Sequence, residues 1–516
     1  MPRWVPRSSK PAAGRVAGRG GFDSHPLPPA REFPAGFNRL KKEYMTDSGP
    51  PNYSEIVAQV MEITDVTWGD PKRDYLVRFR GRLRVAVDQA RRSLTEALKA
   101  LELSPSLRRE GDQDVILLIN NPVTSIVSQV FDVREVDWAE PDLPYLVRYV
   151  GALRKDSVAA YDQLEDQLKP LRLTPLFRSE DSQQVVILLK GINQPQKSNP
   201  IFNLIMFGLT LLSMALVGAM NVYSGNAEDL PQYLSENLRN IGAGLPFAAS
   251  LLAILLAHEL GHYIAGRLHR TAVTLPYFIP FPVPPFGTLG AFIRLKSAPK
   301  NRRILHDIGV AGPLAGLIVA IPILIYGLSL STIEELPNFL LRNQGFTLEG
   351  NSILYLLAKY AVFGEWLPHP ASYGDLHPLV YWLKFIITGQ PFPLGGRDVI
   401  IHPVALAGWG GLLVTALNLI PAGQLDGGHL AYVLFGRGAR RALPFILLGL
   451  FGLGFIWEGW WLWALLISAF GRSHAEPLDQ ITQLDPTRRL VAAFGLLLFV
   501  LVFTPVPLQL LIGPLV

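Results

Sequence analysis

At 516 residues the chain is longer than one ordinary domain. It is 49% hydrophobic and only 17% charged, with a mean hydropathy of +0.26, whereas soluble proteins carry about 25% charged residues, so the composition points to a membrane protein and away from a wholly soluble enzyme. The net charge of +5 comes without a basic stripe, so no nucleic-acid partner is expected, and the lack of any cysteine excludes disulfides and thiolate metal ligands.

The first forty-odd residues are rich in Arg, Pro, Gly and Ala, show no periodicity and read as disordered. Within them, "GGFDSHPLPP" is what the T-loop consensus and 3′ end of a tRNA gene would give if translated in one frame. Residues 1–44 are therefore either an ordinary basic tail or no part of the native protein, which would then start at Met45, before "TDSGPPNYSEIV".

Sliding residues 52–190 on themselves by seventy positions reveals a repeat. "IVAQVMEITDVTWGDPKRDYLVRFRGRL" from Ile56 aligns with "IVSQVFDVREVDWAEPDLPYLVRYVGAL" from Ile126, pairing Trp68 with Trp138, Tyr75 with Tyr145 and Gly81 with Gly151. Each copy reads as a strand, an amphipathic helix and two more short strands. The expected domains are thus two small α+β modules, 52–121 and 122–193. Neither holds a catalytic constellation. They are expected to bind an unidentified ligand or protein, or to serve a structural purpose only.

The linker "GINQPQKSNP" leads into residues 200–516, which read as a membrane-embedded domain. Apolar runs predict spans at 201–222, about 241–268, 308–330 and 402–420. Residues 442–470 predict one long helix or two short ones, interrupted near Trp457 and Glu458, and a last span covers roughly 490–511. With 353–390 also ambiguous, the fold class is a polytopic α-helical membrane protein of six or seven spans, preceded by a tandem α+β repeat region. Arg267, Arg270, Lys296, Lys300, Arg302 and Arg303 lie between the second and third spans, and Arg437, Arg440 and Arg441 follow the fourth. The positive-inside tendency makes these loops cytoplasmic. Alternation then puts the repeats in the cytoplasm and the loop 331–401 outside, and the expected location is a prokaryotic cell membrane.

The second span holds the chemistry. "LLAILLAHELGHYIAGRL", residues 251–268, carries His258, Glu259 and His262 inside an apolar helix. A charge at the centre of a span costs about 2.5–3.5 kcal/mol on insertion scales, so ionisable groups there call for a function. In H-E-x-x-H the two histidines lie one helical turn apart on one face, where both can ligate one zinc ion, and the glutamate beside the first can take a proton from water. A catalytic zinc takes a third protein ligand. "NLIPAGQLDGGH", residues 418–429, ends the fourth span on the same side; Pro421 and Gly423 break the helix there, and Asp426 sits on the break with His429 as a rival ligand. Asn418 suits either a substrate carbonyl or helix packing.

These two motifs, His258-Glu259-Leu260-Gly261-His262 and Asn418, Pro421, Leu425, Asp426, Gly427, resemble those of the site-2 protease family of intramembrane zinc metalloproteases. The resemblance covers about residues 200–516. It implies zinc, one ion per chain, on His258, His262 and Asp426 rather than His429, with Glu259 as the catalytic base. It also likens "PFGTLGAFIRLKS", 285–297, to a short hairpin near the substrate, where Gly287 and Gly290 suit an edge that pairs with an unwound peptide, and it gives Asn418 and Pro421 a substrate-positioning role. The expected function is cleavage of transmembrane segments of proteins or peptides in the bilayer, in regulated intramembrane proteolysis. The repeats stand where some members carry a PDZ-like insert or a nucleotide-sensing domain, so substrate choice and regulation do not carry over. The alternative is a metal or proton transporter that uses the same His/Glu/Asp cluster.

Overall fold

The computed structural model describes residues 53–68, 77–98, 103–120, 122–139, 144–180, 183–191, 199–223, 225, 229–338, 345–470 and 476–512. The question raised by residues 1–44 lies outside them. The chain divides into two units, one of residues up to 90 with 108–119, the other of 91–107 with 120–516.

The first unit is built on an antiparallel sheet. After α1 (Tyr53–Ala58), β1 (Met61–Trp68) pairs with β2 (Val77–Leu83), and β2 with β4 (Gln113–Asn120). β3 (Leu103–Glu110) straddles the boundary between the units at residue 108, and the strand order is β1-β2-β4-β3. Val77 and Phe79 are buried while Arg78 and Arg80 are partly exposed, the period-2 alternation of a half-buried strand. The helix α2 (Val87–Leu98) joins β2 to β3.

Residues 122–190 form a sheet of the same order. It contains α3 (Pro122–Ser128), β5 (Phe131–Trp138), β6 (Tyr145–Leu153), α4 (Ser157–Leu168), β7 (Leu173–Glu180) and β8 (Gln183–Lys190), in strand order β5-β6-β8-β7. Its first pair starts at Phe131↔Leu153 and bulges between Val133 and Glu135; in the first sheet the pair starts at Met61↔Leu83 and bulges between Ile63 and Asp65. Each bulge faces a glycine that only glycine fits: a Cβ on Gly81 or Gly151 would lie 1.9 Å from the carbonyl oxygen of Glu62 or Asp132. Tyr149, Tyr161, Leu164 and Phe177 fill the core between this sheet and α4.

Three helices among the described residues are long and apolar enough to cross a membrane: α5 (Pro200–Asn221), the helical stretch 241–268 that ends in α7 (Leu245–Leu268), and α8 (Arg302–Ser329). Between the first two lies α6 (Leu230–Arg239). Shorter helices follow: α9 (Ile353–Phe363), α10 (Pro378–Thr388), α11 (Pro403–Asn418), α12 (Asp426–Phe435), α13 (Arg437–Leu453), α14 (Gly459–Phe470) and α15 (Pro486–Val502). The region 442–470 is thus two helices, parted at residues 454–458. The expected last span is corrected. The helix stops at Val502, because Pro505 and Pro507 cannot extend it. Residues 508–512 form a strand, β14, which pairs antiparallel with β12 (Gly345–Glu349). In the same loop region β11 (Thr332–Glu335) pairs with β13 (Arg397–Ile400).

The membrane part packs around α8. Its Leu317 and Leu324 meet Trp409 and Leu412 of α11 in one buried cluster. Gly408 lets α11 come so close that a Cβ there would be 2.6 Å from the Leu324 Cα. The expected hairpin exists with a shifted first strand: β9 (Tyr277–Pro280) lies upstream of the prolines at 282, 284 and 285, and pairs with β10 (Thr288–Phe292).

Candidate metal centre

His258, Glu259 and His262 lie on α7, each at most 6% exposed. One turn apart, the two rings stand edge to face at 4.9 Å between centroids. Asp426 is the first residue of α12, placed there by the break at Pro421. Gly427 and Gly428 permit that tight entry, since a Cβ on Gly427 would lie 1.9 Å from the Leu419 carbonyl oxygen.

Three atoms converge. His258 Nε2 lies 3.2 Å from Asp426 Oδ2, His262 Nε2 lies 3.3 Å from the same oxygen, and the two Nε2 atoms are 3.2 Å apart. The Nδ1–H of His262 donates to the Ile308 carbonyl of α8 at 2.7 Å, which fixes the tautomer and leaves the Nε2 lone pair aimed inward. Zinc bonds of about 2.0–2.1 Å in a tetrahedron place their ligand atoms about 3.3–3.4 Å apart. The triangle therefore has the size of a three-ligand zinc face, and its two nitrogens and one oxygen suit that ion. Glu259, next to His258 on the same helix, has its buried Oε2 without a hydrogen-bond partner, a gap that a water at the metal site would satisfy. Its carboxylate also accepts a hydrogen bond from the backbone N–H of Ile293, just past β10.

The helix α8 contributes no ligand but forms the wall. A Cβ on Gly312 would lie 2.1 Å from His262 Nε2, one on Gly316 3.2 Å from His258 Nδ1, and one on Gly309 3.1 Å from His429 Cβ. Sequence reasoning missed this wall, because the contact spans some fifty residues and two of its elements, a carbonyl and missing side chains, have no chemistry-bearing letter.

The other expected residues fall as follows. Asn418 closes α11 with its Nδ2 3.4 Å from His258 Nε2, beside the candidate ligands. Pro421 lies in the turn that delivers Asp426. His429 lies one turn further along α12, outside the ligand triad of His258, His262 and Asp426 found among the described residues. Gly287 (φ 75°) and Gly290 (φ 100°) both need the left-handed region. Gly287 is fixed against α5: its carbonyl accepts from Ser213 Oγ at 2.7 Å, and a Cβ on it would be 2.7 Å from Met214 Cα. Nothing lies within 4 Å of the corresponding point on Gly290.

Residues 246–447, which contain the whole triad, match the model of peptidase family M50. This stretch, less than half of the chain, is similar to that family, in line with the resemblance of the two motifs to the site-2 proteases. Relatives of this chain include the "Probable zinc metalloprotease EGY1, chloroplastic" of Arabidopsis thaliana, 32% identical over 52% of this chain and 44% of that protein. The protein of the same name from Oryza sativa subsp. japonica is 27% identical over 71% of this chain and 63% of its own length. The "Probable zinc metalloprotease EGY2, chloroplastic" of Oryza sativa subsp. indica is 27% identical over 70% and 62%. The chain thus spans less than two thirds of each. The names of these relatives speak for zinc, but they belong to plant chloroplasts and lend no support to a prokaryotic membrane. No solved structure matches the chain.

Proposed function

We propose that the chain is an intramembrane zinc endopeptidase that cleaves transmembrane segments of other proteins. The observation that carries this reading is the triangle of His258, His262 and Asp426, of zinc dimensions, with the unpartnered carboxylate oxygen of Glu259 beside it. When bound, zinc lowers the pKa of water and polarises a carbonyl oxygen. His262 is oriented by the Ile308 carbonyl and Asp426 by the turn at Pro421. Glu259 takes the proton of the attacking water and delivers it to the leaving amine. Its hold on the Ile293 N–H aligns that transfer with β10. The Asn418 amide lies where it can donate to the carbonyl oxygen as charge develops there.

A transmembrane substrate must unwind first, since helical carbonyls are shielded by their own hydrogen bonds. Among the described residues β10 pairs with β9 alone, so its outer edge offers a template for the unwound strand, and the turns at Gly287 and Gly290 shape that edge. The two sheets of common strand order are a tandem repeat on the cytoplasmic side, and release of a membrane-tethered regulator suits this arrangement.

Substitutions separate the roles. Glu259→Gln is expected to keep about one zinc per chain by metal mass spectrometry and to lose cleavage of a reporter span by the ~10²–10⁴-fold of a general base. Asp426→Ala and His262→Ala are expected to lose zinc and cleavage together, and His429→Ala to keep zinc. Wild-type cleavage by Glu259→Gln would overturn the protease reading and favour a transporter.

A further inference from the structure

The strand β7 is an edge strand of its sheet, and its open side is filled by the segment between α14 and α15. The Phe177 N–H donates to the Leu478 carbonyl at 2.9 Å, and the Gln480 N–H to the Phe177 carbonyl at 3.2 Å. The same segment pairs on its other side with the approach to α8, where the Leu478 N–H donates to Pro299 at 3.0 Å and the Asp479 N–H to Lys300 at 2.7 Å. Side chains close the join. The Arg178 guanidinium donates to the Leu478 carbonyl at 2.9 Å, the Ser157 and Thr482 hydroxyls are 2.8 Å apart, and the Lys300 ammonium reaches Glu165 at 2.5 Å and Asp162 at 3.2 Å on α4. Asp479 is completely buried; its carboxylate accepts the N–H of Ile481 at 2.8 Å and of Thr482 at 3.1 Å. Opening such a join would strand buried polar groups, so it is built to stay closed.

The join leads to the metal centre. Asn301 caps α8, Arg303 Nε donates to the Gln483 carbonyl at 3.0 Å, and Arg488 at the start of α15 forks onto Asp307 at 2.7 and 2.8 Å. The next residue, Ile308, holds His262. Arg302 donates to the Tyr432 carbonyl at 3.0 Å on α12, the helix that Asp426 opens. The helix α8 is thus tied directly to residues 477–488, and α12 is tied to them through Arg302 of α8.

We propose that β7, the segment 477–485 and the start of α8 form a permanent clamp that sets α8 against His262, so that residues 122–190 belong to the frame of the metal centre and are no detachable module. Lys300 and Asp479 are its positioning residues. This rests on the zinc reading above. The test uses the full chain. Asp479→Ala and Lys300→Ala are expected to surrender zinc to a chelator several-fold faster than wild type, Asp479→Asn to be intermediate because it keeps an acceptor for the two N–H groups, and added zinc to restore cleavage. Wild-type zinc retention in both alanine variants would overturn the clamp; a wild-type chain that holds no zinc would overturn the metalloprotease reading instead. The absence of native cysteine allows a second arm. With Ser157→Cys and Thr482→Cys combined, the oxidised and reduced forms are expected to cleave a reporter span at equal rates. Inhibition on oxidation, reversed by reduction, would show that the join must open during turnover and would overturn its permanence.

Discussion

At the scale of single residues, the metal centre depends as much on absent side chains as on ligands. On α8 a methyl group at Gly312 would occupy the place of His262 Nε2, at 2.1 Å, while one at Gly316 would meet His258 Nδ1 at a tight but tolerable 3.2 Å. Helix backbone cannot yield as a side-chain tip can, so the ring must leave. Gly312→Ala is therefore expected to lose most bound zinc and Gly316→Ala to lose little, as metal mass spectrometry of the purified variants would show; equal zinc in both would mean that α8 is not a rigid wall. The three candidate ligands that the fold brings together were legible as a set. His258 and His262 announce themselves by spacing, and Asp426 by a carboxylate on a helix break in an apolar setting. The choice of Asp426 over His429 was legible only through the family resemblance, because both lie on the same helix one turn apart. The Ile308 carbonyl was beyond reach, since every residue has one and only the packing of α7 on α8 selects it.

At the scale of elements, the β9–β10 hairpin makes a sharp distinction between two glycines with similar backbone. Both need positive φ, but only Gly287 is pressed against α5. Gly287→Ala adds a clash at 2.7 Å with backbone to the strain of an L-residue at φ 75°, whereas Gly290→Ala adds only the strain, about 1 kcal/mol. Cleavage of a reporter span is expected to fall far more for Gly287→Ala than for Gly290→Ala; the reverse order would separate the hairpin's seat on α5 from function. A second case joins β12, α9 and β13. Lys359 is fully buried, with its ammonium 3.3 Å from Asp398 and 3.8 Å from Glu349, whose carboxylate also accepts from Tyr355 at 2.8 Å. Burial, reinforced by the charge of Asp398 and opposed by Lys359, pushes the Glu349 carboxyl up from 4.5 to about 7. The folded form thus binds a proton that the unfolded form releases at lower pH. The group's contribution to stability is full below pH 4.5, declines as pH rises towards about 7, and is flat above. Relative to Glu349→Gln, the wild type is expected to lose melting temperature between pH 5 and pH 8; parallel curves would show that Glu349 does not titrate there. None of this was legible from sequence, where 353–390 read only as ambiguous apolar pieces. The tail after Val502 misled for a related reason: "VPLQLLI" is as apolar as a span, and an apolar run alone does not separate a helix from a strand.

At the scale of the whole molecule, contacts and the membrane reading together constrain topology more tightly than loop charges do. Lys300 bonds to Glu165, so the loop between α7 and α8 lies on the side of residues 157–190, as two crossings by α5 and α7 require. The helix α8 then carries 331–401 to the opposite side, α11 leads back, and the segment 477–485 is on the first side again because it pairs with β7. Finally, α15 must cross, since β14 pairs with β12 within the far loop region. On this path the number of crossings is expected to be odd, which favours seven or five over six. The pair α13 and α14 leaves and returns to the first side, where Arg440 meets Glu476. With 12 residues, α14 reaches only about 18 Å, short of the ~30 Å hydrocarbon core, so the pair is expected to dip in as a hairpin and the chain to cross five times. Single cysteines placed in this cysteine-free chain decide it. In sealed vesicles an impermeant thiol reagent is expected to reach Gln183→Cys and Ser372→Cys from opposite faces, and Glu458→Cys, at the turn between α13 and α14, never from the face that labels residue 372. Labelling of residue 458 from that face would make the pair two full spans and the count seven.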